Sequence, residues 1–277
     1  MKPLKIILIC NAEANQRALA NKLSERFESL SFVLQEKTHL TLVKKSRYLR
    51  FFNLTQLLEM VANFPFRRAW FSMLKEYSSN YPSFPCEPAL VVRDLGDLKL
   101  FNWIEEERPD IVLVSGTSLL KETLIDKIKE YGHVMNLHTG ISPYIKGGPN
   151  CTNWCLSMNR YDLIGNTIMW IDSGIDSGDI ITTERTPITG DESLLELHLK
   201  VMEHAHSLYL SAVDSFIKHK EIRAISQSHL PSHRLFLTKD WSLAAKVRAL
   251  FNFSFFYNSK SVNQQLMKAT EAMIQLP

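Results

Sequence analysis

Ile6 to Cys10 is an unbroken apolar run with three isoleucines, the pattern of a strand covered on both faces. A strand of that kind belongs in a parallel sheet held between helices, which restricts the fold more than any other stretch of the chain. Ala14 to Phe27 follows with Leu19, Leu23 and Phe27 four residues apart, one apolar face of a helix, and Ser31 to Leu34 reads as a second strand. The opening unit is therefore βαβ. A dinucleotide fold places a glycine-rich turn after its first strand, whereas Asn11 to Arg17 contains no glycine, so classical dinucleotide binding is not expected.

The alternation persists downstream. Leu90 to Arg93 is a short strand, Leu98 to Glu107 a helix, Asp110 to Ser115 another buried strand, and Leu120 to Tyr131 a helix leading to a strand at Val134 to His138. A long helix runs from Ser193 to about Lys218, capped by Asp191 or Ser193. The expected fold class is α/β, a Rossmann-like domain with a mostly parallel central sheet whose ligands sit at the carboxyl ends of the strands. The expected division is a catalytic domain over 1–218 and a C-terminal extension over 219–277.

Two segments stand outside the alternation. Lys44 to Ser79 reads as two helices carrying Arg47, Arg50, Phe51, Phe52, Phe64, Phe66, Arg67, Arg68, Trp70 and Phe71. Tyr81 to Pro88, with three prolines, closes this helical insertion of about 44–88. It reads either as a basic and aromatic surface for a phosphate-bearing acceptor or an acidic membrane, or as a helical hairpin burying its aromatics on the sheet edge. The extension mixes His233, Arg234, Lys239, Lys246 and Arg248 with Phe251, Phe253, Phe255, Phe256 and Tyr257. It either packs on the core, as aromatic clusters usually do, or completes an acceptor site or the contact of a homodimer.

The totals exclude several classes. A chain of 277 residues with 45% hydrophobic residues supports a sizeable core, and a net charge of +3 without clustering gives no reason to expect nucleic-acid binding. Cys10, Cys86, Cys151 and Cys155 form neither a redox CxxC nor a zinc pattern; no metal is expected, and Cys151 and Cys155 read as buried thiols. The N-terminal apolar run is too short for a signal peptide or a membrane span, so the expected location is cytoplasmic.

The chemistry concentrates between Met135 and Ile180. In a strand ending at His138, Asn136 and His138 share one face while Leu137 points into the domain. An amide beside an imidazole at a strand's carboxyl end supplies a donor for a developing oxyanion and a proton-transfer group, the equipment of acyl transfer. Pro143, Gly147, Gly148 and Pro149 stiffen the next loop. Asn166 to Ile171 returns as a strand and delivers Asp172, Gly174, Asp176, Gly178 and Asp179 in another loop, from which Asp176 can orient the imidazole. The same residues are also ordinary turn chemistry. A calcium loop starting at Asp172 is excluded, because ligand positions would fall on Gly174 and Thr183.

This pattern resembles the folate-dependent formyltransferase family. Asn136-Leu137-His138 stands at a strand end, Pro143-Tyr144 and Gly147 follow, then Gly165-Asn166-Thr167, then the Asp172 to Gly178 loop. The resemblance implies that 10-formyltetrahydrofolate donates a formyl group to an acceptor amine. Asn136 and His138 would polarise the formyl oxygen, and Asp176 would hold His138 and assist proton removal. It also implies a folate site at Ser115, Gly116, Thr117 and Ser118 and at Asp172, Gly174, Ile175 and Gly178.

Departures from the family pattern concern the acceptor. Thr139-Gly140-Ile141-Ser142-Pro143 replaces the usual Pro-Ser-Leu-Leu-Pro. The turn from Asn11 to Arg17 lacks the glycines that hold the ribosyl phosphate of glycinamide ribonucleotide, and the extension is too short for the barrel of the initiator-tRNA branch. The expected acceptor is a nucleotide-linked amino sugar, with a small amino acid as the alternative. Hydrolysis of the formyl donor and inactive folate binding are rival readings of the same residues.

Overall fold

The computed structural model describes residues 4–36, 54–220, 222–231 and 235–276. Its main sheet has seven strands among the described residues, in the order β3-β2-β1-β4-β5-β7-β8. These are β1 (Ile6–Asn11), β2 (Leu30–Gln35), β3 (Leu90–Val92), β4 (Ile111–Ser115), β5 (His133–His138), β7 (Gly165–Trp170) and β8 (Ile180–Arg185). β6 (Lys146–Gly147) lies apart from them and pairs with β9 (Leu235–Phe236). β3 to β5 run parallel through β2, β1 and β4, and β7 is antiparallel to both of its neighbours. The sheet is thus mostly parallel, with the Rossmann-like form expected from the strand pattern. β8 was not foreseen, because its polar Thr182, Thr183 and Glu184 hide the alternation.

The period of two in β1 explains its double burial. Ile6, Leu8 and Cys10 enter an apolar cluster with Leu19 and Leu23 of α1 (Ala14–Arg26) and Leu208, Ala212 and Phe216 of α6 (Leu194–His219). Ile7 and Ile9 enter another with Leu100 and Ile104 of α3 (Leu98–Glu107) and Leu124 and Ile128 of α4 (Glu122–Lys129). Helices on both faces leave the strand ends as the place for ligands, and the order reverses between β1 and β4, where an open α/β sheet forms its crevice. Ser193 caps α6 by a reciprocal capping box with Glu196.

Of the two helices expected over Lys44 to Ser79, the part before residue 54 lies outside the described residues. Arg47, Arg50, Phe51 and Phe52 lie outside the described residues, as do His233 and Arg234. From Leu54 to Asn80 there is one helix, α2, continuous through Pro65. Its buried stripe of Ala62, Phe66, Ala69, Met73 and Tyr77 crosses the proline at helical spacing, so packing outweighs the missing hydrogen bond. Leu57, Val61, Phe64 and Phe71 are exposed. Only part of the extension packs inward: Phe236, Trp241, Ala245, Ala249 and Tyr257 share an apolar cluster with Ile141, Tyr144 and Trp154, with Phe253 against it, whereas Phe251, Phe255 and Phe256 are exposed. Its helices are α7 (Leu243–Phe255) and α8 (Ser259–Lys268), and α5 (Cys151–Met158) lies beside α7.

Two buried histidines tie α2 to α6. His198 packs edge-on against Trp70 and His206 lies beside Tyr77, and the Nε2 atoms of both are without a partner. Burial pushes their pKa values down to about 4 and about 3. Unfolding frees each imidazole to bind a proton below pH ~6.5 that the folded state refuses, so stability is full above that pH and falls on acidification. We expect a loss of up to about 2–3 kcal/mol per histidine between pH 7 and 4.5, at ~1.4 kcal/mol per pKa unit. Urea unfolding at the two pH values checks this, and His206→Phe should flatten the dependence.

Candidate active site

The carboxyl end of β5 is where the sheet opens. Pairing between β4 and β5 runs only to Val114 opposite Asn136, after which the chain beyond Ser115 turns away. The Tyr209 hydroxyl from α6 holds the last paired positions, accepting from the Val114 N–H at 2.9 Å and donating to the Met135 carbonyl at 2.7 Å. Beyond it lies a cleft of about 190 Å³ between the loop after β4 and the loop after β7. Val114, Leu137 and Met169 give it apolar walls, and Asn136, Asp172 and Asp176 bring polar groups to it.

Asn136 and His138 share the side of β5 on which Val134 packs, while Met135 and Leu137 enter the opposite core. The Asn136 side chain has no hydrogen-bonding partner among the described residues and lines the cleft. His138 is buried behind that wall. Its Nδ1 lies 3.3 Å from Asp176 Oδ2, and its Nε2 lies 3.1 Å from the Ile145 carbonyl and 3.6 Å from Cys151 Sγ. Burial acts to lower the His138 pKa, but the neighbouring Asp176 carboxylate, the Cys151 sulfur and the Ile145 carbonyl together outweigh it, so the imidazole is pushed up to about 10. The Nε2–H then donates to the Ile145 carbonyl, while the Nδ1 side of the ring faces the Asp176 carboxylate as an ion pair. Burial raises the Cys151 and Cys155 pKa values and keeps both side chains as thiols, in line with their reading as buried residues.

Asp176 stands in the left-handed region, with φ of +48°. Its Oδ2 accepts from the Gly147 N–H at 3.0 Å as well as facing His138. Its Oδ1 has no partner among the described residues. In the same loop, Asp172 Oδ1 accepts from the Gly174 N–H and from the Ser177 hydroxyl, closing the turn. Gly178 has no room for a side chain, since a Cβ would fall 1.8 Å from the Trp170 carbonyl oxygen.

The structure gathers most of the residues singled out in the sequence. Gly116, Thr117, Ser118, Asp172, Gly174 and Gly178 line the cleft with Asn136 and Asp176. Two are not among the residues lining this cleft. Ile175 lines neither it nor its neighbour, and its side chain is exposed. Ser115, the last residue of β4, lines an adjoining cleft of about 570 Å³.

That second cleft shares Gly116, Thr117, Ser118 and Leu137 with the first and extends across the ends of β1 and β2. Asn11, Asn15, Gln16, Gln35 and Trp70 line it, with Glu13, Glu36 and Arg93 supplying charge. The buried Asn15 Oδ1 and Gln16 Oε1 have no protein partner. Arg67 and Arg68 do not reach it; they line an outward groove with Phe64 and Phe71. Among the described residues of the insertion, Trp70 is the one that arrives. The contributions of Asn15 and Gln16 were missed in the sequence, where the glycine-free turn was the one available signal.

Comparison with known proteins places this geometry. Residues 57–213 match the profile of the family described as Formyl transferase. The methionyl-tRNA formyltransferase of Alkaliphilus oremlandii is 32% identical over 165 residues, covering 57% of this chain and 52% of that protein; the chain spans about half the length of such relatives. Among solved structures, a sugar N-formyltransferase from Shewanella superposes with a TM-score of 0.52 at 13% identity, covering 89% of this chain and 88% of the other. HypX from Aquifex aeolicus, in complex with tetrahydrofolic acid, does so with 0.51 at 14%, covering 90% of this chain and 34% of the other. No helix among the described residues is long and apolar enough to cross a membrane. With the profile covering more than half its length and the spaced Asn136, His138 and Asp176 in place, this chain belongs to the formyl transferase family.

Proposed function

We propose that the protein transfers a formyl group from 10-formyltetrahydrofolate to an amine, with a nucleotide-linked amino sugar as acceptor. The observation that carries the reaction is the convergence of Asn136 and Asp176 on one cleft with the His138 imidazole directly behind. The cleft suits the flat end of a folate, having two loops 116–120 and 172–178 as jaws and apolar walls at Val114, Leu137 and Met169. When bound, 10-formyltetrahydrofolate supplies the formyl carbon, and its N10 leaves with a proton.

The chain's own groups then have separate tasks. Asn136 offers its unpartnered amide N–H to the formyl oxygen as negative charge grows there, and the positive charge of His138 stabilises the same region. Asp176 Oδ1 accepts the proton that the amine must lose on attack. Asp176 Oδ2, fixed by Gly147 and His138, keeps the carboxylate aimed. The raised His138 pKa maintains the imidazolium across the neutral range.

Support for the acceptor comes from the second cleft. The amide oxygens of Asn15 and Gln16, without partners among the described residues, suit the hydroxyls of a sugar, and Trp70 offers an aromatic face for a sugar or base. The Shewanella enzyme, alike in fold along nearly its whole length, acts on a sugar by its name. The methionyl-tRNA reading has its own support in the 32% identity of the Alkaliphilus relative. Incubation with the formyl donor and separate pools of nucleotide-activated amino sugars, free amino acids, glycinamide ribonucleotide and methionyl-tRNA decides between them. A formamide is expected in the first pool. Product confined to any other pool overturns the acceptor, and donor consumption without any formamide makes the protein a hydrolase.

A further inference from the structure

We propose that the C-terminal extension is a clamp on the active site and that Gln227 is a positioning residue for Asp176. The inference rests on the formyl-transfer reading of His138 and Asp176, but the contacts themselves lie outside the residues assigned to it.

Gln227 is buried, and its Nε2 donates to the Asp176 carbonyl and to the Gly178 carbonyl, both at 2.8 Å. Two carbonyl partners leave only one orientation of the amide, with its NH₂ group turned toward the loop. The chain just before it is anchored: Ile225 exchanges backbone hydrogen bonds with Ile180, each 2.8 Å, at the first residue of β8. Gln227 therefore reaches the Asp172 to Gly178 loop from a fixed base. The loop needs such a hold, because Asp176 occupies left-handed backbone that a residue with a Cβ adopts only at a cost.

The other end of the same segment holds the opposite loop. Leu235 and Phe236 pair with Lys146 and Gly147, the Gly148 N–H donates to the Phe236 carbonyl at 2.9 Å, and the Phe236 ring stacks on Trp154 at 4.3 Å. Gly147 has φ of +86° and would place a Cβ 2.0 Å from the Phe236 carbonyl oxygen, so the approach is open to glycine alone. Gly147 is also the residue whose N–H binds Asp176 Oδ2. The extension thus grips both loops that meet at the Asp176 carboxylate.

The chemistry explains why a glutamine serves. The site requires two donors and no charge. Leucine supplies neither donor, and an ionised glutamate would set a carboxylate against two carbonyl oxygens. A displacement of about 1 Å at Asp176 separates it from His138 and from the attacking amine, which is worth roughly 10²-fold in rate.

The test uses the full-length protein with Gln227→Leu and the near-isosteric Gln227→Glu. Expected for Q227L is a fall of about 10²-fold in kcat with the acceptor KM within a few-fold of the parent. Expected for Q227E is a similar fall at pH 8 that is partly relieved as the pH drops and the carboxyl regains a donor hydrogen. A readout independent of turnover is the NMR titration of the His138 imidazole: loss of the aligned carboxylate should lower its midpoint in Q227L. Unchanged kcat and an unchanged His138 midpoint in both folded variants overturn the proposal, as does a rise in KM alone. If the parent transfers no formyl group to any amine, the reaction assignment fails while the His138 titration still decides whether Gln227 aligns Asp176. If Q227L does not fold, Q227E carries both readouts.

Discussion

An H138A protein is expected to fold and to lose roughly 10²–10³-fold in formyl transfer, the range typical of losing one electrostatic stabiliser of a developing oxyanion. His138 sits at the last position of β5, held between Asp176 and the Ile145 carbonyl. Its removal also leaves the inner oxygen of Asp176 with the Gly147 N–H alone. The stability cost is therefore expected to be about 1–3 kcal/mol, that of an unpaired buried partner. Single-turnover rates at saturating donor and acceptor, with circular dichroism as the check on folding, measure the effect. A variant turning over within a few-fold of the parent would remove His138 from the mechanism.

Asp176→Asn should be as damaging, on the order of 10³-fold, through two losses at once. The amide cannot accept the amine's proton, and it no longer supports the imidazolium. Without that charge the largest of the influences that hold the His138 pKa up against burial is gone, so its pKa falls. The pair also leaves a mark on stability. Because the folded His138 pKa is raised to about 10, its contribution is complete below pH ~6.5 and is lost as the pH rises through 10. The parent should therefore lose stability between pH 7 and 10 with a slope that D176N lacks, as measured by urea unfolding across that range. Identical slopes in the two proteins would mean that Asp176 does not hold the imidazolium.

These two residues also mark how far the sequence could be read. Asn136 and His138 could be set on one face of a strand because side-chain alternation is fixed by the local backbone, and the structure keeps them on the side of Val134. Which of the pair reaches the cleft was not legible. Asn136 does and His138 stands behind it, a distinction made by the loop carrying Ile145 and by α5 carrying Cys151. The insertion gives the reverse lesson. Its basic and aromatic content was plain, yet Arg67, Arg68, Phe64 and Phe71 line an outward groove, and among the described residues of the insertion only Trp70 lines the second cleft. One helix turned to bury Ala62, Phe66, Ala69, Met73 and Tyr77 leaves those side chains no other direction.

By itself the sequence determined whatever rests on neighbouring residues: the double burial of β1 and β4, the α/β class, the capping of α6, and the spaced residues through which the family is recognised. Tertiary structure alone decided the rest. Asp176 meets His138 across 38 positions of chain and Gln227 across 51, and such meetings depend on how whole faces of helices and sheet pack. Backbone sterics and side-chain period act over a few residues and leave their pattern in the chain. The approach of distant loops is set by the summed burial of many side chains, so no single residue, Gln227 included, carries its signature.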